Sequence, residues 1–439
     1  MPSRIERLFA SSLTITAVRL AGAGAGFAAQ MVMARSFGAP ALGLFYAVTS
    51  LVTVVAMLAL QGYPAVATRF LARYREREGL AVAFVGAAAR HAALGTAIAA
   101  AGLVAVALAW PFESAQARAG LLIGAGCLPF LAMIGHSAAI AAATRRFDIA
   151  YVPDALARPA MLLAGVAALA ASGLPTTGAV AIGLFAAVAA GVALVQTPLS
   201  ARLVPRVAPA RVAPRQSRRW RREAWGAAIV ALFVGAFADV AIVLASPLMP
   251  KAEVAVFGLC LKLSFLVGFL VQAAHHVAAP DLADARRTGD GARLRAALRK
   301  AVVIPVAVTL AATLGALALG GPVLGLFGPD FGAGEGVLVL LLAAQAVRAA
   351  AGPSVTMLTL AGAQGENAAL CVMALVVLAV ASLALAPAFG ALGAAAAVAL
   401  ATLAWHIGVA AVLRRRGEPG TDLLTLAREA ARRRAEAAA

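Results

Sequence analysis

ARLVPRVAPARVAPRQSRRWRRE, residues 201–223, places eight arginines, three prolines and a single acid in 23 residues. Such a run cannot lie in hydrocarbon, where each charged side chain costs about 2.5–3.5 kcal/mol at the bilayer centre. Pro205, Pro209 and Pro214 interrupt any long regular helix. On both sides the sequence turns at once into apolar runs. The stretch is therefore read as a cytoplasmic linker between two membrane-embedded halves of nearly equal length. An arginine run can also bind nucleic acid, but this one lies between hydrophobic spans and has few aromatics, so no nucleic-acid partner is expected. Contact with membrane lipids is compatible with a linker.

The whole composition agrees. Of 439 residues, 63% are hydrophobic and only 13% charged, and mean hydropathy is +0.92. Soluble domains are nearer half apolar and a quarter charged. The chain reads as an all-α polytopic membrane protein, and its net charge of +18 is first a matter of topology. Only Lys251, Lys262 and Lys300 are lysines; the other basic residues are arginine. Cys127, Cys260 and Cys371 stand far apart in apolar runs, which offers no disulfide framework or metal spacing. At the N-terminus, MPSRIERLF leads into a long apolar run containing Arg19, read as a retained first helix rather than a cleaved signal.

A crossing needs about 20 apolar residues. That length predicts twelve helices: 12–34, 42–63, 88–110, 119–142, 156–172 and 178–200, then 224–246, 253–277, 301–320, 336–360, 367–386 and 391–413. The expected organisation is a six-helix bundle over 1–200, the linker 201–223, a second six-helix bundle over 224–413 and a basic tail over 414–439. With the N-terminus in the cytoplasm, 29 basic residues fall on the cytoplasmic side, three (Arg35, Arg118, Lys251) on the other, and five in or at the edge of spans. This asymmetry fixes orientation, supports an even number of spans and places both termini in the cytoplasm. The tail is expected to form a solvated or headgroup-lying helix from Thr421.

The halves look like weak parallel repeats. GAPALGLFYAVTSLV (38–52) parallels MPKAEVAVFGLCLKLSFLV (249–267), and RFLARYREREGLAVAFVGAAAR (69–90) parallels PDLADARRTGDGARLRAALRK (280–300). Repeats of this kind belong to transporters rather than channels.

Ionisable residues inside spans are costly and tend to face a cavity or a partner. At about 1.5 Å per residue, Arg19 lies roughly 10 Å from the cytoplasmic side, and Lys262 and Arg348 about 14 Å and 18 Å from the outer one. Asp239 stands in the outer half of the seventh helix, within reach of Lys262. Lys262 and His276 share a helix face, Gln272 lies one turn before His276, and Gln345 shares a face with Arg348 ahead of a Gly352-Pro353 kink. Arg19, Lys262, Gln272, His276, Gln345 and Arg348 are the candidate substrate contacts of a polar, basic cavity suited to phosphate or other anionic groups. Asp239 is either an ion-coupling residue or one half of an internal ion pair with Lys262 or Arg348. Arg90, Arg158 and Glu366 sit near the cytoplasmic ends, where snorkelling accounts for them. The Gly22–Gly26 run, which follows no strand, is read as a site of close helix packing. His275-His276 are adjacent and make poor metal geometry; His91, His136 and His406 are isolated. No catalytic set, nucleotide loop, metal site or cofactor motif is present.

Four stretches together resemble the polysaccharide (O-antigen and exopolysaccharide) flippases of the multidrug/oligosaccharidyl-lipid/polysaccharide exporter superfamily. They are FGAPALGLFYAVTSLVTVVAMLALQGYPAVATRFLARY (37–74), FADVAIVLASPLMPKAEVAVFGLCLKLSFLVGFLVQAAHHVAAPDLAD (237–284), LFGPDFGAGEGVLVLLLAAQAVRAAAGPSVTMLTLAGAQGENA (326–368) and PAFGALGAAAAVALATLAW (387–405). The resemblance implies a V-shaped fold and alternating access between two six-helix bundles. The implied substrate is a polyprenyl-pyrophosphate-linked oligosaccharide moved across the bacterial inner membrane, alongside membrane lipids and with a polysaccharide polymerase and a chain-length regulator as partners. Asp239 matches the family's acid in the seventh helix, and Phe257-Gly258 stand where an aromatic is often found near the start of the eighth. The alternative readings are a cation-coupled multidrug exporter of the same superfamily, a membrane-embedded glycosyltransferase or polymerase, which the short outer loops disfavour, and a non-transporting scaffold.

Overall fold

A computed structural model describes residues 12–111, 114–428 and 431. Arg4 and Arg7 of the N-terminal tail, and Arg432, Arg433 and Arg434 of the C-terminal one, lie outside the described residues. All regular elements among the described residues are helical. They run α1 (Ser12–Phe37), α2 (Ala39–Ala59), α3 (Tyr63–Arg73), α4 (Glu78–Ala109), α5 (Ala115–Ala143) and α6 (Phe147–Tyr151). A π-helical turn, Val152–Ala157, joins α6 to α7 (Arg158–Ala171), and α8 (Gly178–Ala201) follows. Then come α9 (Pro214–Ala245), α10 (Lys251–Thr288), α11 (Gly291–Gly325), a 3₁₀ turn Pro329–Gly334, α12 (Glu335–Ala350), α13 (Ser354–Leu360) and α14 (Gln364–Arg415).

Eleven helical rods among the described residues are long and apolar enough to cross a membrane. The last, α14, has 52 residues and is broken at Gly390, with φ 55° and ψ −134°. A Cβ on Gly393 would stand 2.1 Å from the Leu385 carbonyl oxygen, a distance reached only where the chain doubles back. Each of its two arms is long enough to cross by itself, which gives the twelve spans the sequence predicts. Large apolar side chains stand exposed along the rods, among them Leu108 of α4 (68%), Leu314 of α11 (64%) and Leu383 of α14 (64%). Lipid is the solvent that accommodates such a surface, and the protein is a multi-pass membrane protein.

Several helices outrun the apolar windows. The loop expected over 280–300 is helical: α10 continues through Pro280 to Thr288, and only Gly289 (φ 69°) and Asp290 separate it from α11. The Asp290 carboxylate accepts from the amides of Ala292 and Arg293 and starts the new helix. The 38 residues of α10 rise about 57 Å at 1.5 Å each, against about 30 Å of hydrocarbon. Hydropathy marks where lipid ends, whereas helical hydrogen bonding continues past it. Within 201–223, α9 likewise begins at Pro214, the first helical position where a missing N–H costs nothing, so Arg215 to Glu223 form its opening turns.

The chain folds into two compact units: Met1–Val243 with Pro250–Ala255, and Leu244–Met249 with Val256–Ala439. In the first, a Cβ on Gly22 would fall 1.5 Å from the Ala155 carbonyl oxygen, so α1 meets the π-helical turn backbone to backbone; Gly24 of the same run faces open space. The first unit also buries an aromatic cluster of Tyr63, Phe70, Tyr74, Phe84 and Trp220. In the second, the segment after α14 is anchored at Glu418 and Thr421, and the helical turns that follow over 423–428 leave Leu424 exposed. Thr421 is 4% exposed, its hydroxyl donates to the Ala351 carbonyl at 2.9 Å, and Glu418 takes both terminal nitrogens of Arg286. The tail supplies a hydroxyl where a break between helices leaves a carbonyl unpaired, a complementarity that charge alone does not reveal.

Candidate functional site

The candidate residues fall in both units. In the first, Arg19 is exposed on α1, its guanidinium 4.9 Å from the centre of the Tyr151 ring. Tyr151 immediately precedes the π-helical turn, an element that often marks functional positions. Asp239, half-buried on α9, accepts a hydrogen bond from Ser50 Oγ at 2.7 Å. It stands three residues beyond Ala236, where the helix is interrupted (φ −134°, ψ 20°). Nearby in sequence to Ser50, Tyr46 donates to Gln30 Oε1 at 2.6 Å. Arg158 pairs with Asp154 at 3.0 Å and lies 5.6 Å over the Phe185 ring, so it is held by protein partners. Sequence reasoning passed over Gln30, Tyr46 and Ser50 because uncharged polar residues are common in helices; only their pairing singles them out.

In the second unit, Lys262, Gln272, His275 and His276 stand on α10, and Gln345 and Arg348 on α12. Lys262 and Gln272 are half-buried and His276 is exposed. The histidine in the electrostatic field of Arg348 is His275, and His406, on the second arm of α14, shares that field. Arg348, His275 and His406, on three helices, thus lie within electrostatic reach of one another, although His406 looks isolated in sequence. His406 is 6% exposed and Gln345 is 5% exposed. The Nε2 of His275, both ring nitrogens of His406 and the Oε1 of Gln345 have no hydrogen-bond partner among the described residues. Buried polar atoms left so cost about 1–3 kcal/mol each. Gln345 is fixed where α10 offers no side chain: a Cβ on Gly268 would stand 2.4 Å from its Oε1.

One turn past Arg348, the expected kink is a complete interruption. α12 ends at Ala350, Gly352 takes φ 68°, and α13 starts at Ser354. Chemically, a half-buried guanidinium with two imidazoles in its field and a carboxamide one turn before it supplies N–H donors and one positive charge, a set suited to an anion. Among the described residues no group of three or more His, Cys, Asp or Glu side chains gathers as a metal site would.

No protein-family model and no curated protein matches the sequence. Solved structures match its fold. That fold is the one adopted by transporters of the MOP superfamily. The inward-facing structure of a multidrug resistance MATE family transporter of that superfamily matches over 91% of this chain and 98% of its own, with a TM-score of 0.68 at 14% identity. The lipid II flippase MurJ in an inward closed conformation matches over 92% of this chain and 88% of its own, with a TM-score of 0.73 at 11% identity. A MATE structure in the straight conformation gives a TM-score of 0.56 at 14% identity, over 94% and 95% of the two chains. At such identities the likeness concerns the fold.

Proposed function

We propose that the protein is a transporter that flips a polyprenyl-pyrophosphate-linked oligosaccharide across the bacterial inner membrane by alternating access. Alternating access between two six-helix bundles, 1–200 and 224–413, is the movement this reading requires, with both termini in the cytoplasm. The observation that carries the reading is the set formed by the half-buried Arg348 and His275 and the buried His406 and Gln345, with its unpaired polar atoms. Such a cluster suits a pyrophosphate better than a lipophilic cation, and a flippase of a lipid-linked substrate is among the proteins of this fold. Lys262, Gln272 and His276 in the second unit and Arg19 in the first are the further substrate contacts of this reading, and a polysaccharide polymerase and a chain-length regulator are the partners such a substrate implies.

The second reading is a cation-coupled multidrug exporter. It rests on Asp239, whose carboxylate is held by the Ser50 hydroxyl beside a helix break, and on the MATE structures of this fold. Binding separates the two. Purified protein in nanodiscs is expected to bind the lipid-linked oligosaccharide saturably, with at least a tenfold loss for Arg348→Ala, equivalent to about 1.4 kcal/mol. Undiminished binding by that variant removes the cluster from the site. Binding of cationic dyes alone, lost in Asp239→Asn, establishes the exporter instead.

A further inference from the structure

The first unit contains an open, solvent-facing cavity of about 830 Å³, lined by exposed arginines, that the transport reading does not use. Arg73 lines it from the end of α3, Arg75 and Arg77 from the turn into α4, and Arg211 and Arg219 from the arginine-rich stretch. Glu76 is the one acid in the wall. Glu223, the nearby carboxylate, is already occupied by Arg69 and Arg219. Among the described residues, Arg75, Arg77 and Arg211 make no ion pair.

Topology alone does not require this arrangement. The bias of basic residues to one side of a membrane depends on how many stand near the spans, and is indifferent to whether they converge. Here two segments more than 130 positions apart in sequence are locked wall to wall. The amide of Ala210 donates to the Gly79 carbonyl at 2.9 Å. Gln216 Nε2 and Trp220 Nε1 both donate to the Tyr74 hydroxyl, at 2.6 and 2.9 Å. Trp220, 1% exposed, packs edge-on against Phe84. A buried aromatic cluster thus fixes the backbone that carries these arginines.

We propose that this cavity binds a phosphate-bearing anion: the phosphodiester headgroup of an anionic lipid or a free diphosphate. Arginine forks match phosphate oxygens two at a time, and several forks on one wall take a group with more than one phosphate oxygen exposed. The site is distinct from the Arg348 cluster and stands whether or not the protein flips lipids.

The test uses the full chain in phosphatidylcholine nanodiscs, with inorganic pyrophosphate and phosphatidylglycerol as separate probes. Arg75→Gln/Arg211→Gln removes two cavity cations. Arg206→Gln/Arg215→Gln removes two equally exposed arginines of the same stretch that do not line the cavity. Saturable pyrophosphate binding that falls at least tenfold in the first variant alone supports the site with a diphosphate ligand. Retention of phosphatidylglycerol in native mass spectrometry, lost in the first variant alone while pyrophosphate does not bind, supports it with a lipid headgroup. Equal losses in both variants, or no saturable binding of either probe, overturn it.

Discussion

Trp220 is the residue whose position most changes the meaning of its neighbours. In sequence it is one aromatic in an arginine run; in the structure it is fully buried and its indole N–H reaches Tyr74. Trp220→Ala is expected to destabilise the first unit by about 3–5 kcal/mol, the usual cost of emptying a large buried aromatic site. Tyr74→Phe keeps the ring and removes the acceptor of two donors, so a smaller loss of about 1–3 kcal/mol is expected. Thermal unfolding in one detergent checks the order, and equal effects would contradict it. Arg348, Gln345 and Asp239 were legible as candidates because buried charge and amide groups are rare in apolar helices. His406 and Ser50 were not, since a lone histidine or serine gains meaning only from a neighbour on another helix.

At the scale of elements, the crossings were legible because about 20 apolar residues are the length a bilayer demands. Their ends were not, because helices such as α10 and α11 continue as basic extensions beyond that length. The interruption after α12 was visible as Gly352-Pro353, but its occupant was not. Gly352 has φ 68°, and a Cβ there would stand 2.3 Å from the Thr421 carbonyl oxygen. Gly352→Ala combines a left-handed penalty of roughly 1–2 kcal/mol with that collision. The segment 418–428 is therefore expected to lose its seat, with amide hydrogen exchange there accelerated roughly tenfold or more. Unchanged exchange would show that Thr421 is held by other contacts.

For the whole molecule, composition and the 29-to-3 charge asymmetry carried most of what could be read. The fold likeness to MATE and MurJ structures is consistent with the same architecture at identities too low to carry a substrate. Orientation is directly testable. With the three native cysteines replaced, Ala208→Cys in the linker and Leu174→Cys between α7 and α8 are expected to react with an impermeant maleimide from opposite sides of sealed vesicles. Labelling from the same side would remove the topology on which the flipping direction depends. The most direct measurement of the central claim is flipping itself, followed with a fluorescent lipid-linked oligosaccharide in proteoliposomes. The account predicts flipping by the intact protein and its loss in folded Arg348→Ala. No flipping by the intact protein, together with proton-dependent export of cationic dyes, would contradict it.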